Sequence, residues 1–209
     1  MSASPAAGER PPHVRRARLL EAGVIGYNLL EGAVAIVAGL LAGSVALVGF
    51  GLDSAIEVSA SVAVLMHLWH SAETEDSIWE QRVAMFIGLT LIALAVYVGG
   101  EAIYKLAVQS KPEESYLGIG IAAASLLIMP LVARIEHDLS HQINSRALEA
   151  ESRETLVCSW LSAALLLGLG ANALLGWWWA DPVAALVIVA FLLREGWEAF
   201  TRKELCSLH

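Results

Sequence analysis

Two carboxylates, Asp53 and Glu57, stand four residues apart inside an apolar run from about Val45 to Trp69. At that spacing they share one helix face, one turn above the other. In a helix that crosses lipid, an acid costs several kcal/mol unless it is paired, protonated or bound to a metal, so its default reading is functional. A second pair at the same spacing, Glu154 and Cys158, follows about a hundred residues later. Carboxylate oxygens suit Mg, Ca, Mn and Zn, and a thiolate adds preference for softer ions. The chemistry these four residues suggest is the holding of one divalent cation between two helices. The plainer alternatives are that the acids hydrogen-bond a neighbouring helix and fix packing, and that Cys158 is a small core residue.

Other residues could assist. Asn28 and Glu31 lie in the first apolar run and could hydrate a cavity or relay protons, and Glu151 lies one turn before Glu154. His137 and His141 are also four apart, with Asp138 between them. That is good geometry for a weak surface metal site and equally fits a solvated helix face. His67 and His70, next to an acidic link of Glu73, Glu75, Asp76 and Glu80, could concentrate cations at one mouth of the second run. No phosphate-binding loop, Ser-His-Asp set, metalloprotease helix or nucleic-acid feature is present.

The elements that must position these residues follow from composition. The 209-residue chain is 57% hydrophobic and 16% charged, against about 45–50% and 25% for a soluble domain. Six spans of roughly 20 residues would use most of the length, so the expected fold is all-α, a polytopic bundle of six transmembrane helices. The spans are expected at about 19–41, 45–69, 83–108, 116–132, 154–175 and 182–194. A disordered basic tail over residues 1–18 is expected before them, and a short tail over 201–209 after the membrane domain of 19–200. Ala35, Gly39 and Gly43 form a small-residue stripe that lets the first two spans approach closely. The polar stretch Ala133 to Arg153 has neither Gly nor Pro, which predicts a helix continuing into the fifth span. Asp181 and Pro182 read as the cap and first residue of the sixth helix, after an interfacial cluster of Trp177, Trp178 and Trp179. Cys158 and Cys206 do not suggest a disulfide framework.

Depth gives a check on a shared site. Counted from one side of the membrane, Glu57 lies about 14 residues in and Cys158 about 18, a difference of roughly 6 Å that tilt can absorb. Asp53 and Glu154 match less well and need tilted helices. Orientation follows from Lys and Arg. With the N-terminus inside, the outer links hold only Lys105 and Lys111, and all other basic residues lie inside. Both termini are therefore expected in the cytoplasm, with the plasma (inner) membrane as the location.

These residues resemble the cation diffusion facilitator family of divalent metal transporters. Its second span carries Asp-x-x-x-Asp, matched by Asp53-Ser-Ala-Ile-Glu57; its fifth carries Ala-Asp-x-x-His-x-x-x-Asp, laid on Ala150-Glu151-Ser-Arg-Glu154-Thr-Leu-Val-Cys158. The Asp-Pro opening of the sixth span resembles Asp181-Pro182, and the likeness covers about Leu19 to Phe200. The chain departs from the pattern where Glu154 and Cys158 replace His and Asp, and the cytoplasmic domain that usually follows the sixth span has no counterpart here. It looks like a short, membrane-only branch. The resemblance implies a secondary transporter that exports a divalent cation, Zn²⁺ above others, in exchange for protons, with Asp53, Glu57, Glu154 and Cys158 as ligands. The metal is then substrate rather than cofactor, the partners are metal ion, protons and the bilayer, and a homodimer is one expected assembly. The alternative from another class is a membrane sensor or accessory protein that binds metal without moving it. A membrane hydrolase has no visible nucleophile or general base to support it.

Overall fold

The computed structural model describes the backbone of residues 12–70 and 77–206, and the side chains of all these except 12, 67–70, 77–84, 146–147 and 199–206. The acidic link Glu73, Glu75 and Asp76 and the side chains of His67, His70, Glu80 and Cys206 lie outside the described residues. Six helices account for nearly everything else: α1 Pro12–Ala42, α2 Val45–His70, α3 Ser77–Ala107, α4 Tyr116–Ile143, α5 Arg146–Leu175 and α6 Ala180–Cys206. Lipid offers no partner to a free N–H or C=O, so long helices that satisfy their own backbone are the economical answer for apolar runs of this length. Five of the six are long and apolar enough to cross a membrane. Over its described residues α6 falls outside that group, and its length includes Asp181, Arg194 and Glu195. The outside of the bundle is apolar: Leu41, Leu127, Leu167 and Leu174 are all more than 70% exposed, a surface that suits lipid rather than water.

Packing arranges the helices as a ring in the order α1, α2, α3, α6, α5, α4, while α2 also touches α5 and α6 across the centre. The two helices that carry the paired ligands therefore meet in the middle. α1 and α2 lie close because Gly32 faces Gly51: a Cβ on either would come within 3.0 Å of the other's carbonyl oxygen. Ala35 and Gly39 of the expected stripe are buried in this contact, with a Cβ on Gly39 meeting Val48 at 2.8 Å. Gly43 does different work, making the turn into α2 at φ +63°, where a side chain would be strained.

Several expected boundaries move. α1 begins at Pro12, so part of the basic segment expected as a disordered tail is helical; Pro is well suited to a first turn, where its missing N–H costs nothing. α6 likewise runs on to Cys206, through the segment read as a tail. The stretch from Ala133 to Arg153 is not one helix. α4 ends at Ile143, Asn144 takes the left-handed conformation, and the Ser145 hydroxyl accepts from the Leu148 N–H to start α5. Asn tolerates that backbone and Ser caps a new helix, so neither Gly nor Pro is required for the break. Asp181 does not cap its own helix. Its carboxylate accepts from the Ser44 hydroxyl and from the Val45 N–H, 3.0 Å away, and so holds the first turn of α2.

Candidate metal centre

The buried faces of α2, α3, α5 and α6 converge on a cavity of about 20 Å³, enough for one water-sized particle. Its polar wall is Asp53, Glu57, Glu154, Cys158 and Glu195, and its apolar wall includes Ile56, Leu91 and Leu161. All four residues of the two expected pairs thus line one space. The mismatch in depth foreseen for Asp53 and Glu154 does not keep them apart.

One residue from outside the cavity wall completes the closest group. Oxygens of Glu31 and Glu57 and the Cys158 sulfur all lie within 4.8 Å of one another. That spread is close enough for one cation to reach all three after small side-chain adjustments. Glu31 is fully buried on α1. Its two oxygens accept from the Tyr27 hydroxyl at 3.1 Å and the Ser54 hydroxyl at 3.3 Å. Asn28, one turn earlier on the same face, donates its amide to Glu57 Oε2 at 3.2 Å. Each carboxylate oxygen has two lone pairs, so these donors aim the acids and leave lone pairs for an ion. Asn28 is therefore an orienting neighbour of Glu57, while Glu31 contributes an oxygen to the group.

The remaining sequence candidates lie elsewhere. Glu151 is buried but does not line the cavity; its carboxylate accepts from the Ser61 hydroxyl of α2. His137 and His141 stand exposed on α4 with their Nε2 atoms 3.2 Å apart, and neither reaches the cavity.

Glu195 lies one residue past the expected end of the sixth span, at 194, and is absent from the expected site. Its Oε1 is buried without a hydrogen-bond partner. A signal for it existed: Asp181, Ala184, Ala185, Ile188, Leu192 and Glu195 recur at three- and four-residue steps, and the first five are buried. An acid continuing that stripe faces the bundle.

The electrostatics are one-sided. Five acids and a thiol gather where lipid and apolar side chains exclude water, and among the described residues no basic side chain lines the cavity. Held ionised together, such groups repel one another and lose several kcal/mol each in hydration. A divalent cation, or protons, offsets both penalties. The arrangement can therefore bind a metal ion and protons in competition, because each ligand takes the metal best when deprotonated.

Comparison with known proteins fits this geometry. MneS, a manganese efflux system protein of Bacillus subtilis, is 28% identical over 190 residues, which is 84% of this chain and 63% of MneS. The cation-efflux pump FieF of Salmonella typhi is 24% identical over 166 residues, 75% of this chain and 55% of the pump. An uncharacterized transporter of Synechocystis is 26% identical over 153 residues, 70% of this chain and 49% of that protein. The chain thus spans between half and just under two thirds of the length of these relatives. The family profile of the cation efflux transmembrane domain matches residues 24–203, which takes in α2 to α5 whole, most of α1 and α6, and every residue that lines the cavity. The chain belongs to the cation efflux family, and the part of that family it carries is the transmembrane domain.

Proposed function

We propose that this protein exports a divalent metal cation from the cytoplasm in exchange for protons. The observation that carries the reading is the meeting of Glu31, Glu57 and Cys158 within 4.8 Å, beside a cavity whose wall adds Asp53 and Glu154. Metal entering displaces protons from the acids and thiol, and protons returning from the other side displace the metal. Rocking of helix pairs about a site at mid-bundle gives each side access in turn. We take the cytoplasm to lie at the end that holds the start of α1 and the end of α6, because the sequence has only Lys105, in the last turn of α3, and Lys111 as basic residues toward the opposite links.

Zn²⁺ is the first choice of substrate because a thiol faces a cluster of carboxylates, and sulfur favours zinc over harder ions. A second reading, Mn²⁺, draws on the carboxylate majority in the cavity and on the similarity to a protein named for manganese efflux. Uptake into sealed vesicles containing the purified protein, under an imposed pH gradient, tests the proposal with Zn²⁺, Mn²⁺, Cd²⁺ and Co²⁺ in turn. The wild type takes up at least one metal only when the gradient is present. Asp53→Ala loses that uptake while running as a folded protein on gel filtration. Full uptake by Asp53→Ala overturns the site, and no uptake of any metal by folded wild type favours a metal-binding sensor.

A further inference from the structure

Between the cavity and the end of the bundle that carries the termini lies a group of acids that transport through the cavity leaves without a role. Glu21 of α1 and Glu136 of α4 are each 0% exposed. None of their four carboxylate oxygens has a hydrogen-bond partner. Ala17, Leu139 and Leu148 pack together where α1, α4 and α5 meet, and Glu21, Glu136 and Glu151 each stand one helical turn from them on the cavity side. The Thr155 hydroxyl lies within reach of Glu136, but its one hydrogen goes to the Glu151 carbonyl, 3.1 Å away. Toward the termini, Ala17, Val64, Leu139 and Leu148 close an apolar layer. Toward the cavity, Glu154 stands one turn on from Glu151 along α5 and lines the cavity.

Packing alone does not account for this pair. Each buried polar atom left without a partner costs about 1–3 kcal/mol, and an ionised carboxylate more. Elsewhere on the same stripe of α1, Ala17, Val24 and Ala35 fill the interface without polar atoms. A proton shared between the two acids serves two of the four oxygens and leaves a net charge of −1. One divalent cation cancels both charges and offers coordination to all four oxygens, with ligands of the type such ions prefer. We infer that Glu21 and Glu136 form a second divalent-cation site, separate from the Asp53–Cys158 cavity. An ion held there passes to the cavity along Glu151 and Glu154. The passage rests on the transport reading above; the binding does not.

Counting ions on the purified full chain in detergent decides the matter. Equilibrium dialysis is run with Zn²⁺ and with Mn²⁺ separately at neutral pH, and metal is measured against protein. The wild type binds two ions per chain with at least one of the metals. Glu21→Gln/Glu136→Gln binds one, and Glu57→Gln, which alters only the cavity, also binds one. Fewer than two ions on the wild type with both metals overturns the inference whatever the variants do, so a double variant that fails to fold does not protect it. A folded double variant that still binds two ions overturns it as well. The vesicle assay on wild type keeps the two readings apart: uptake with one bound ion removes this site and leaves transport standing, whereas two bound ions without uptake does the reverse.

Discussion

Buried acids occur at both ends of this bundle, but their surroundings are opposite. At the end with the short helix links, Asp181 is fully buried and accepts from the Ser44 hydroxyl and the Val45 N–H. Around it Lys105 Nζ donates to the Gly43 carbonyl at 2.6 Å, Asn172 to the Pro112 carbonyl at 3.3 Å, and the Glu113 N–H to the Ala42 carbonyl at 2.8 Å. From mid-bundle to the other end, both oxygens of Glu21, both of Glu136 and one of Glu195 have no partner. The contrast separates two uses of a buried carboxylate. One supplied with donors from a helix start and a hydroxyl is a joint, tying α6 to the α1–α2 hairpin. One left without donors, as Glu21 and Glu136 are, keeps its lone pairs open to a cation or a proton.

The largest effect expected from this contrast is on stability. Asp181→Ala strips the Val45 N–H and the Ser44 hydroxyl of their acceptor in a water-free interface and removes a negative charge from the start of α2. A loss of about 2–4 kcal/mol is expected, read as a fall in thermal unfolding temperature in detergent. Ion binding at the cavity stays within about twofold, since Asp181 does not line it. Glu57→Gln is the mirror case. It removes a buried charge among like charges, so stability holds or rises while ion binding falls. If Asp181→Ala unfolds no more easily than wild type, the joint does not hold the helices.

A smaller effect, on selectivity, belongs to Cys158. The Cys158→Ser variant keeps the shape of the side chain and replaces a soft donor with a hard, weakly acidic one. Affinity for Zn²⁺ and Cd²⁺ is expected to drop at least tenfold relative to Mn²⁺, about 1.4 kcal/mol. Competition between metals on the purified protein measures the ratio. An unchanged ratio assigns Cys158 to packing.

The sequence made the α2 and α5 pairs legible because a four-residue step inside an apolar run places both members on one face, and the bundle brings those faces together. Depth was harder: the mismatch between Asp53 and Glu154 was foreseen, but not that both would reach one cavity. Glu21, Glu136 and Glu195 went unread for a related reason. Each sits near the end of its apolar run, where an acid looks interfacial, and only the heptad-like stripes Ala17–Glu21–Val24–Asn28–Glu31 and Ala122–Ser125–Met129–Ala133–Glu136 reveal that they face inward. The break at Asn144 was hidden because Asn, unlike Gly or Pro, does not announce a turn. Asp181 was assigned to its own helix since its true partners lie 136 and 137 residues away, and no local pattern encodes a contact at that distance.

Glu195 offers the finest test, because it combines both behaviours. It lines the cavity with the ligand pairs yet arrives on α6, the helix that the Asp181 joint holds, and its Oε1 lacks a donor. Glu195→Gln keeps its volume and removes only its charge. A carboxylate outside the closest ligand group acts on a divalent ion through its charge rather than through a bond, so its loss costs less than that of Glu57. Metal affinity at neutral pH is therefore expected to fall about three- to tenfold, with thermal unfolding unchanged or slightly improved. Dialysis and thermal unfolding on the same preparation read both. A drop in stability with affinity intact would place Glu195 with Asp181, as part of the frame. A drop in affinity alone places it with the acids that hold the ion, and makes α6 the third helix, after α2 and α5, to bring charge to the cavity.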